Sequence, residues 1–260
     1  MRLAHPAYGQ LRAVTDTASV LLCDNPGLLT LEGTNTWILR ASGSDEFVVV
    51  DPGPDDAAHI ERIAALGKVA LVLISHRHGD HTDGIDKLVD ATGAVVRSVG
   101  SGFLRGLGGP LTDGEVIEAA GLRITVLATP GHTADSVSFL LDDAVLTADT
   151  VLGRGTTVID DEDGSLRDYL ESLRRLAGLG ARTVLPGHGP DLPDIRDVAA
   201  MYLAHRQERL DQVRDALREL GQDAGARRIV EHVYTDVDEK LWDAAEKSVQ
   251  AQLDYLMSID

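Results

Sequence analysis

His76-Arg77-His78-Gly79-Asp80-His81 follows, after Ser75, directly on the apolar run Val69-Ala70-Leu71-Val72-Leu73-Ile74. The run is short, β-rich and free of charge, which predicts a buried strand. From Gly84 to Ala91 apolar residues return at helical spacing, so three imidazoles and a carboxylate are displayed where a strand ends and a helix is about to begin. Imidazoles packed this tightly repel one another once any is protonated, and a divalent cation relieves the repulsion by holding them neutral. The spacing therefore points to metal ligation.

Working outward, Thr36 to Leu39 and Phe47 to Val50 predict an early hairpin or meander, closed by Asp51-Pro52-Gly53-Pro54, and Ala57 to Leu66 a helix. Leu122 to Leu127, Val137 to Leu141, Ala144 to Leu146 and Thr183 to Leu185 predict further strands, with Leu166 to Leu176 a helix between the last two. The chain is thus α/β with a largely two-sided core. Three more candidate ligands each lie just past one of these strands: His132 in Pro130-Gly-His-Thr, Asp149 in Leu146-Thr-Ala-Asp, and His188 in Pro186-Gly-His-Gly. Ligands so placed gather at one sheet edge, and the glycines before His132 and His188 permit close backbone turns there. Asp51 ends an early strand in the same way.

Composition narrows the classes. With 43% hydrophobic and 25% charged residues the chain is globular, and Val69 to Ile74, its longest apolar run, is far short of the ~18 residues of a membrane span. Met1 to Leu11 lacks an apolar signal core, so a soluble cytoplasmic protein with no membrane partner is expected. The single cysteine, Cys23, excludes an intrachain disulfide and thiolate zinc sites, which leaves His and carboxylates to hold any metal. A formal charge of -18 disfavours a nucleic-acid partner, because it repels phosphate backbones at long range, and a small-molecule substrate is expected instead. Nothing in the composition sets a homo-oligomeric state. After the Pro-rich stretch from Pro186 to Pro193 the pattern becomes wholly helical: about Ile195 to Leu220, Ala224 to Val233 and Asp238 to Met257. Two domains are expected, a catalytic one over 1–194 and a helical one over 195–260, the second with 9 Lys and Arg against 14 Asp and Glu.

His76-x-His78-x-Asp80-His81, His132, Asp149 and His188 resemble the motif set of the metallo-beta-lactamase superfamily, over about Asn35 to Pro190. The resemblance implies an αβ/βα sandwich with a small winged-helix-like helical appendage, and a site for two divalent metal ions at the sheet edge. It implies His76, His78 and His132 as ligands of one metal, Asp80, His81 and His188 of the other, Asp149 as the bridge, and Asp51 as a carboxylate that orients the ligands. A donor set of imidazole and carboxylate suits zinc first, then iron or manganese. The expected chemistry is hydrolysis of a small acyl substrate (thioester, ester, amide or lactam) by metal-bound hydroxide. Asp149 stands where true beta-lactamases of the superfamily generally carry Cys or Ser, and the full set is similar to glyoxalase II and to RNA-cleaving branches. Asn25 to Thr36 and Ala204-His205-Arg206 resemble a branch that includes an endoribonuclease, which makes cleavage of single-stranded RNA the alternative. That branch's tail ends in a β-wing, whereas here the helical pattern runs on to the last residues.

Tyr202, His205 and Arg206 on the long helix are candidate substrate-binding residues, with Tyr202, His205 and Arg209 on one face beside an apolar stripe. Arg77 and Arg154 are alternatives for anion recognition. Gly100 to Pro110 reads as a flap near the cleft whose Phe103 or Leu104 offers an apolar wall, and His5, His59 and His232 read as surface or core histidines.

Overall fold

A computed structural model describes residues 5–160, 162–235 and 238–259. The first half builds a six-stranded sheet from β1 (Leu11–Ala13), β2 (Ala18–Leu22), β3 (Asn35–Leu39), β4 (Glu46–Val50), β5 (Lys68–Leu73) and β6 (Val96–Arg97), in that order. The strands β1 to β4 run antiparallel, and β4, β5 and β6 run parallel because α1 (Ala57–Ala65) and α3 (Ile85–Thr92) provide the crossovers. The second sheet has the order β11-β10-β9-β8-β7, formed by β7 (Val116–Ala119), β8 (Leu122–Ala128), β9 (Val137–Leu140), β10 (Ala144–Ala148) and β11 (Thr183–Pro186). Only β10 and β11 run parallel in it, joined through α4 (Leu166–Ala177).

Alternation along the strands makes the layers. Val48 and Val50 of β4 and Leu71 and Leu73 of β5 point between the sheets, where they meet Ile124, Val126, Phe139 and Leu146. Phe47, Val49, Val69 and Val72 point outward beneath Ile60 and Ile63 of α1 and Leu88 of α3. On the far side, Val145 and Val184 of the second sheet are covered by α4 and by α5 (Ile195–Leu220), followed by α6 (Ala226–Val233) and α7 (Trp242–Ile259). The result is the expected αβ/βα sandwich with a helical appendage. Its strands β1, β2, β6 and β7 carried no readable pattern. The strands β1, β6 and β7 have two to four residues each, and hydrogen bonding to a neighbour defines them more than their own sequence does.

The start of α1 contains a histidine outside the metal-ligand set. His59 is 1% exposed, and its Nε2 lies 2.8 Å from Thr36 Oγ1, whose hydroxyl donates to the Asp51 carbonyl at 2.7 Å. Thr36 therefore accepts from Nε2–H, the ring is neutral, and burial lowers its pKa to about 4. A depressed imidazole pKa contributes stability that is present above the unfolded value of about 6.5 and is lost as pH falls toward 4. Relative to His59→Gln, the native chain is expected to lose about 3 kcal/mol of unfolding free energy between pH 6.5 and 4, read from urea titrations at each pH.

Candidate metal centre

The ligand-type residues converge because the C-terminal ends of several strands meet at one edge of the sandwich. Asp51 follows β4, His76 follows β5, His132 follows β8, Asp149 follows β10 and His188 follows β11. Between β5 and α3 lies α2 (Gly79–Thr82), a single turn with His78 at its N-cap and Asp80 and His81 within it. Two carboxylates are presented from strained backbone: Asp51 has φ 56°, and Ala148, before Asp149, has φ 45°. The left-handed region costs an L-residue roughly 1–2 kcal/mol, and here it aims a side chain into the site.

His76 Nε2, His78 Nδ1 and His132 Nε2 form one cluster, with 3.1 Å between the first two and 3.0 Å between the last two. Asp80, His81 and His188 form another, with Asp80 Oδ2 3.1 Å from His188 Nε2 and 3.5 Å from His81 Nε2. Asp149 faces both: Oδ1 is 3.6 Å from His81 Nε2, while Oδ2 is 3.4 Å from His188 Nε2 and 3.8 Å from His132 Nε2.

Each imidazole spends its outward nitrogen on an acceptor, which directs the inward lone pair at the cluster. His78 Nε2 donates to Asp160 Oδ2 at 2.7 Å, His132 Nδ1 to the Val158 carbonyl at 2.6 Å, and His188 Nδ1 to the Gly33 carbonyl at 3.1 Å. His81 Nδ1 donates to Asp51 Oδ2 at 2.9 Å, and His76 Nδ1 to Ser75 Oγ at 2.9 Å. The Ser75 hydroxyl in turn donates to Asp51 Oδ2 at 2.6 Å and the Ser75 N–H to Oδ1 at 2.8 Å. Asp51, His76 and His81 also converge, but both Asp51 oxygens accept hydrogen bonds from Ser75 and His81, so its role in this arrangement is to orient one histidine of each cluster.

The donor set fits divalent cations. Asp149 Oδ1 is buried without a hydrogen-bond partner, and the convergent ring nitrogens have no donor of their own to share. A Cβ at Gly187 would fall on Asp149 Oδ1, so the backbone leaves the room a cation needs. Burial pushes the pKa of His76 well down, helped by the neighbouring His81, and burial also lowers His132. Burial works against a proton on His188 too, but the carboxylates of Asp149 and Asp80 hold its pKa well above the usual value, and His188 and His81 hold Asp149 well below against its own burial. The rings of His76 and His132 are thus held neutral, with lone pairs to offer, beside an ionised Asp149 whose charge a cation would balance.

The loop bearing His188 is fastened to the first sheet by Asn35, whose amide donates to the carbonyls of Pro186 at 3.0 Å and Gly189 at 2.8 Å. A cleft of about 690 Å³ opens from the metal ligands toward α5 and α7, with Leu28, Leu29, Leu31 and Leu152 as its apolar wall. Four expectations change here. Phe103 and Leu104 do not reach this cleft, and Phe103 packs against the outer face of the first sheet. Tyr202 is a core residue, 1% exposed, bonded through its hydroxyl to Leu152 N at 3.1 Å and Leu152 O at 3.2 Å; the buried face of α5 extends beyond the apolar stripe to take it in. Arg77 is taken up by Asp160, Glu162 and Asp163, while Arg154 lines the cleft and pairs with Glu32. His205 and Arg206 do line the cleft, Arg206 while donating to the Thr157 carbonyl. Ser75, Asp160 and the carbonyls of Gly33 and Val158 were missed, having no signature beyond the tertiary contact.

Comparison with known proteins gives a family model for the metallo-beta-lactamase superfamily matching residues 29–188, and one for the beta-lactamase associated winged helix domain matching 226–258. Among the described residues, 226–258 is helical with no β-wing. The chain is 30% identical over 241 residues to the beta-lactamase-like protein 2 homolog of Caenorhabditis elegans, covering 87% of this chain and 79% of that one. It is 32% identical over 213 residues to the atrochrysone carboxyl ACP thioesterase of Aspergillus fumigatus, covering 77% of this chain and 64% of that one. A beta-lactamase domain protein from Burkholderia ambifaria superposes with a TM-score of 0.82 at 21% identity, over 98% of this chain and 90% of that one.

Proposed function

Because the chain belongs to the metallo-beta-lactamase superfamily and is a metal-dependent hydrolase, we propose that it holds two divalent ions, zinc before iron or manganese, and hydrolyses a small acyl substrate, a thioester before other esters, amides or lactams. The observation that carries the two-ion reading is Asp149, one carboxylate facing His81 and His188 on one side and His132 on the other. On this reading His76, His78 and His132 would hold one ion and Asp80, His81 and His188 the other, with Asp149 placed to serve both. Such ions would supply Lewis acidity, making water a nucleophile near neutral pH and favouring the charge that develops on the scissile carbonyl oxygen.

The chain's own residues do the rest. Asp51 keeps the His81 lone pair inward and, through Ser75, that of His76, while Asp160 does the same for His78. Leu28, Leu29, Leu31 and Leu152 take the acyl chain and exclude water from it. In the reaction a C–O bond forms at the acyl carbon as the C–S bond breaks, and the proton released by water ends on the carboxylic acid or the departing thiol. Support for a thioester comes from the apolar wall and from the relative named as a thioesterase of an acyl carrier protein. A cytoplasmic setting belongs to the same reading, supported by Cys23, which is free and buried, its thiol pushed up to about 12 by burial. No helix among the described residues is long and apolar enough to cross a membrane.

The test is a side-by-side assay of metal-replete protein on acyl thioesters, a lactam and single-stranded RNA. Elemental analysis after purification without chelator is expected to give about two ions per chain, and chelation to abolish turnover. Thioester kcat/KM is expected to change little between about 50 and 200 mM salt, where a polymer contacting several phosphates loses orders of magnitude. A single tightly bound ion in active protein would sink the two-ion reading, and efficient, salt-sensitive RNA cleavage would replace the thioester with RNA.

A further inference from the structure

One wall of the cleft is a face of α5, where His205, Arg206 and Arg209 line the same hollow as Asp149 and His188. The chain has 42 Asp and Glu against 24 Lys and Arg, so carboxylate partners are plentiful. Arg196, Arg214, Arg218 and Arg227 each pair with one or more. Among the described residues, His205, Arg206 and Arg209 have no carboxylate within ion-pair distance, and their partners are neutral. Arg206 is 3% exposed, donates to the Thr157 carbonyl, lies with its guanidinium carbon 5.0 Å from the centre of the Tyr169 ring, and leaves Nε without a partner. Arg209 donates to Gln212 Oε1 at 2.8 Å and sits 4.5 Å from the centre of the Tyr234 ring. His205 Nδ1 is buried and unpartnered.

A buried guanidinium without counter-charge is expensive, and an acidic protein that withholds its own carboxylates from three neighbouring cation-capable groups leaves a place for an anion from outside. We propose that this face of α5 is the carrier subsite of the cleft, binding the phosphate of a phosphopantetheine arm whose thioester reaches the metal centre. The inference rests on the thioester reading above and adds what recognises the thiol side. The Arg209 guanidinium, backed by the buried charge of Arg206, suits phosphate oxygens, and about 690 Å³ is within the range that accepts a ligand of this size. The apolar wall is then left for the acyl chain. Coenzyme A and an acyl carrier protein present the same phosphate.

The experiment compares one acyl group on four thiols: pantetheine, phosphopantetheine, coenzyme A and a carrier protein. Metal-replete native protein is set beside Arg209→Met, Arg209→Lys and His205→Gln, with calorimetric binding of phosphopantetheine itself as a readout free of turnover. The native protein is expected to favour the phosphorylated arm over pantetheine by about tenfold or more, mainly in KM. Arg209→Met should bring that ratio to within about twofold of unity and weaken phosphopantetheine binding about tenfold, with Arg209→Lys between, because it keeps the charge and loses the fork. Preference between coenzyme A and carrier protein then identifies the source of the phosphate. Equal handling of pantetheine and phosphopantetheine by the native protein, or an unchanged ratio in Arg209→Met, overturns the subsite alone. Hydrolysis of none of the thioesters refutes the thioester reading, and the calorimetric arm still decides the subsite. Displacement of phosphopantetheine by single-stranded RNA at lower concentration than by acyl-coenzyme A assigns the face to nucleic acid and overturns the proposal.

Discussion

Asp149→Ala is expected to keep its fold, to bind far less metal, and to lose more than about a thousandfold in kcat/KM, equivalent to about 4 kcal/mol of transition-state stabilisation. The fold should survive because Asp149 belongs to none of the three apolar cores. Both clusters should suffer together, since the side chain lies within 4 Å of His132 in one and of His81 and His188 in the other. Removing it leaves the cationic character of two neighbouring sites unbalanced, and repulsion between ions is then opposed by nothing between them. Circular dichroism, elemental analysis and kinetics on one preparation check the three parts of the expectation. Near-native rates with full metal would take Asp149 out of the centre.

Gly187→Ala is expected to cause a loss of the same kind, smaller in size, without replacing any of the clustered His and Asp side chains. A methyl group at this position would collide with Asp149 Oδ1 and lie 3.0 Å from His81 Cε1, so the Asp149 carboxylate must swing away. Metal content is expected to fall steeply, with turnover down about a hundredfold or more, since misplacement by about 1 Å can cost that much. Overpacking costs typically 1–3 kcal/mol of stability. Metal titration and a melting curve separate the two effects. Full metal occupancy in Gly187→Ala would mean that the cradle relaxes around a methyl, and that Gly187 serves the turn alone.

Much of the site was legible because metal ligation imposes residue type and spacing together. Three imidazoles within six residues behind Val69 to Ile74 have little other use, and Pro-Gly-His recurring past two further strands repeats the device. The partners of those imidazoles were not legible. Asp160 is 82 residues from His78, and nothing around Val158-Ile-Asp marks it. The Gly33 and Val158 carbonyls are backbone atoms, for which side-chain chemistry carries no signal.

The long helix shows the same division. Its existence over Ile195 to Leu220 followed from composition and periodicity, with Asp194 capping its start. The stripe of Leu203, Leu210, Val213, Leu217 and Leu220 packs on the core as the periodicity indicated, but that Tyr202 joins the buried side did not follow. Periodicity states that a stripe exists; a tyrosine whose hydroxyl finds Leu152 and an arginine that finds Thr157 become inward residues only once those partners arrive from another element. The sequence by itself therefore determined the longer elements, the layered class and which His and Asp side chains gather at one edge, since these depend on local periodicity and on side-chain chemistry. Tertiary structure alone decided that Asp160 and the carbonyls of Gly33 and Val158 orient the imidazoles, and that α5 brings to the cleft two arginines with no ion pair among the described residues, because each is a distance between residues far apart in the chain.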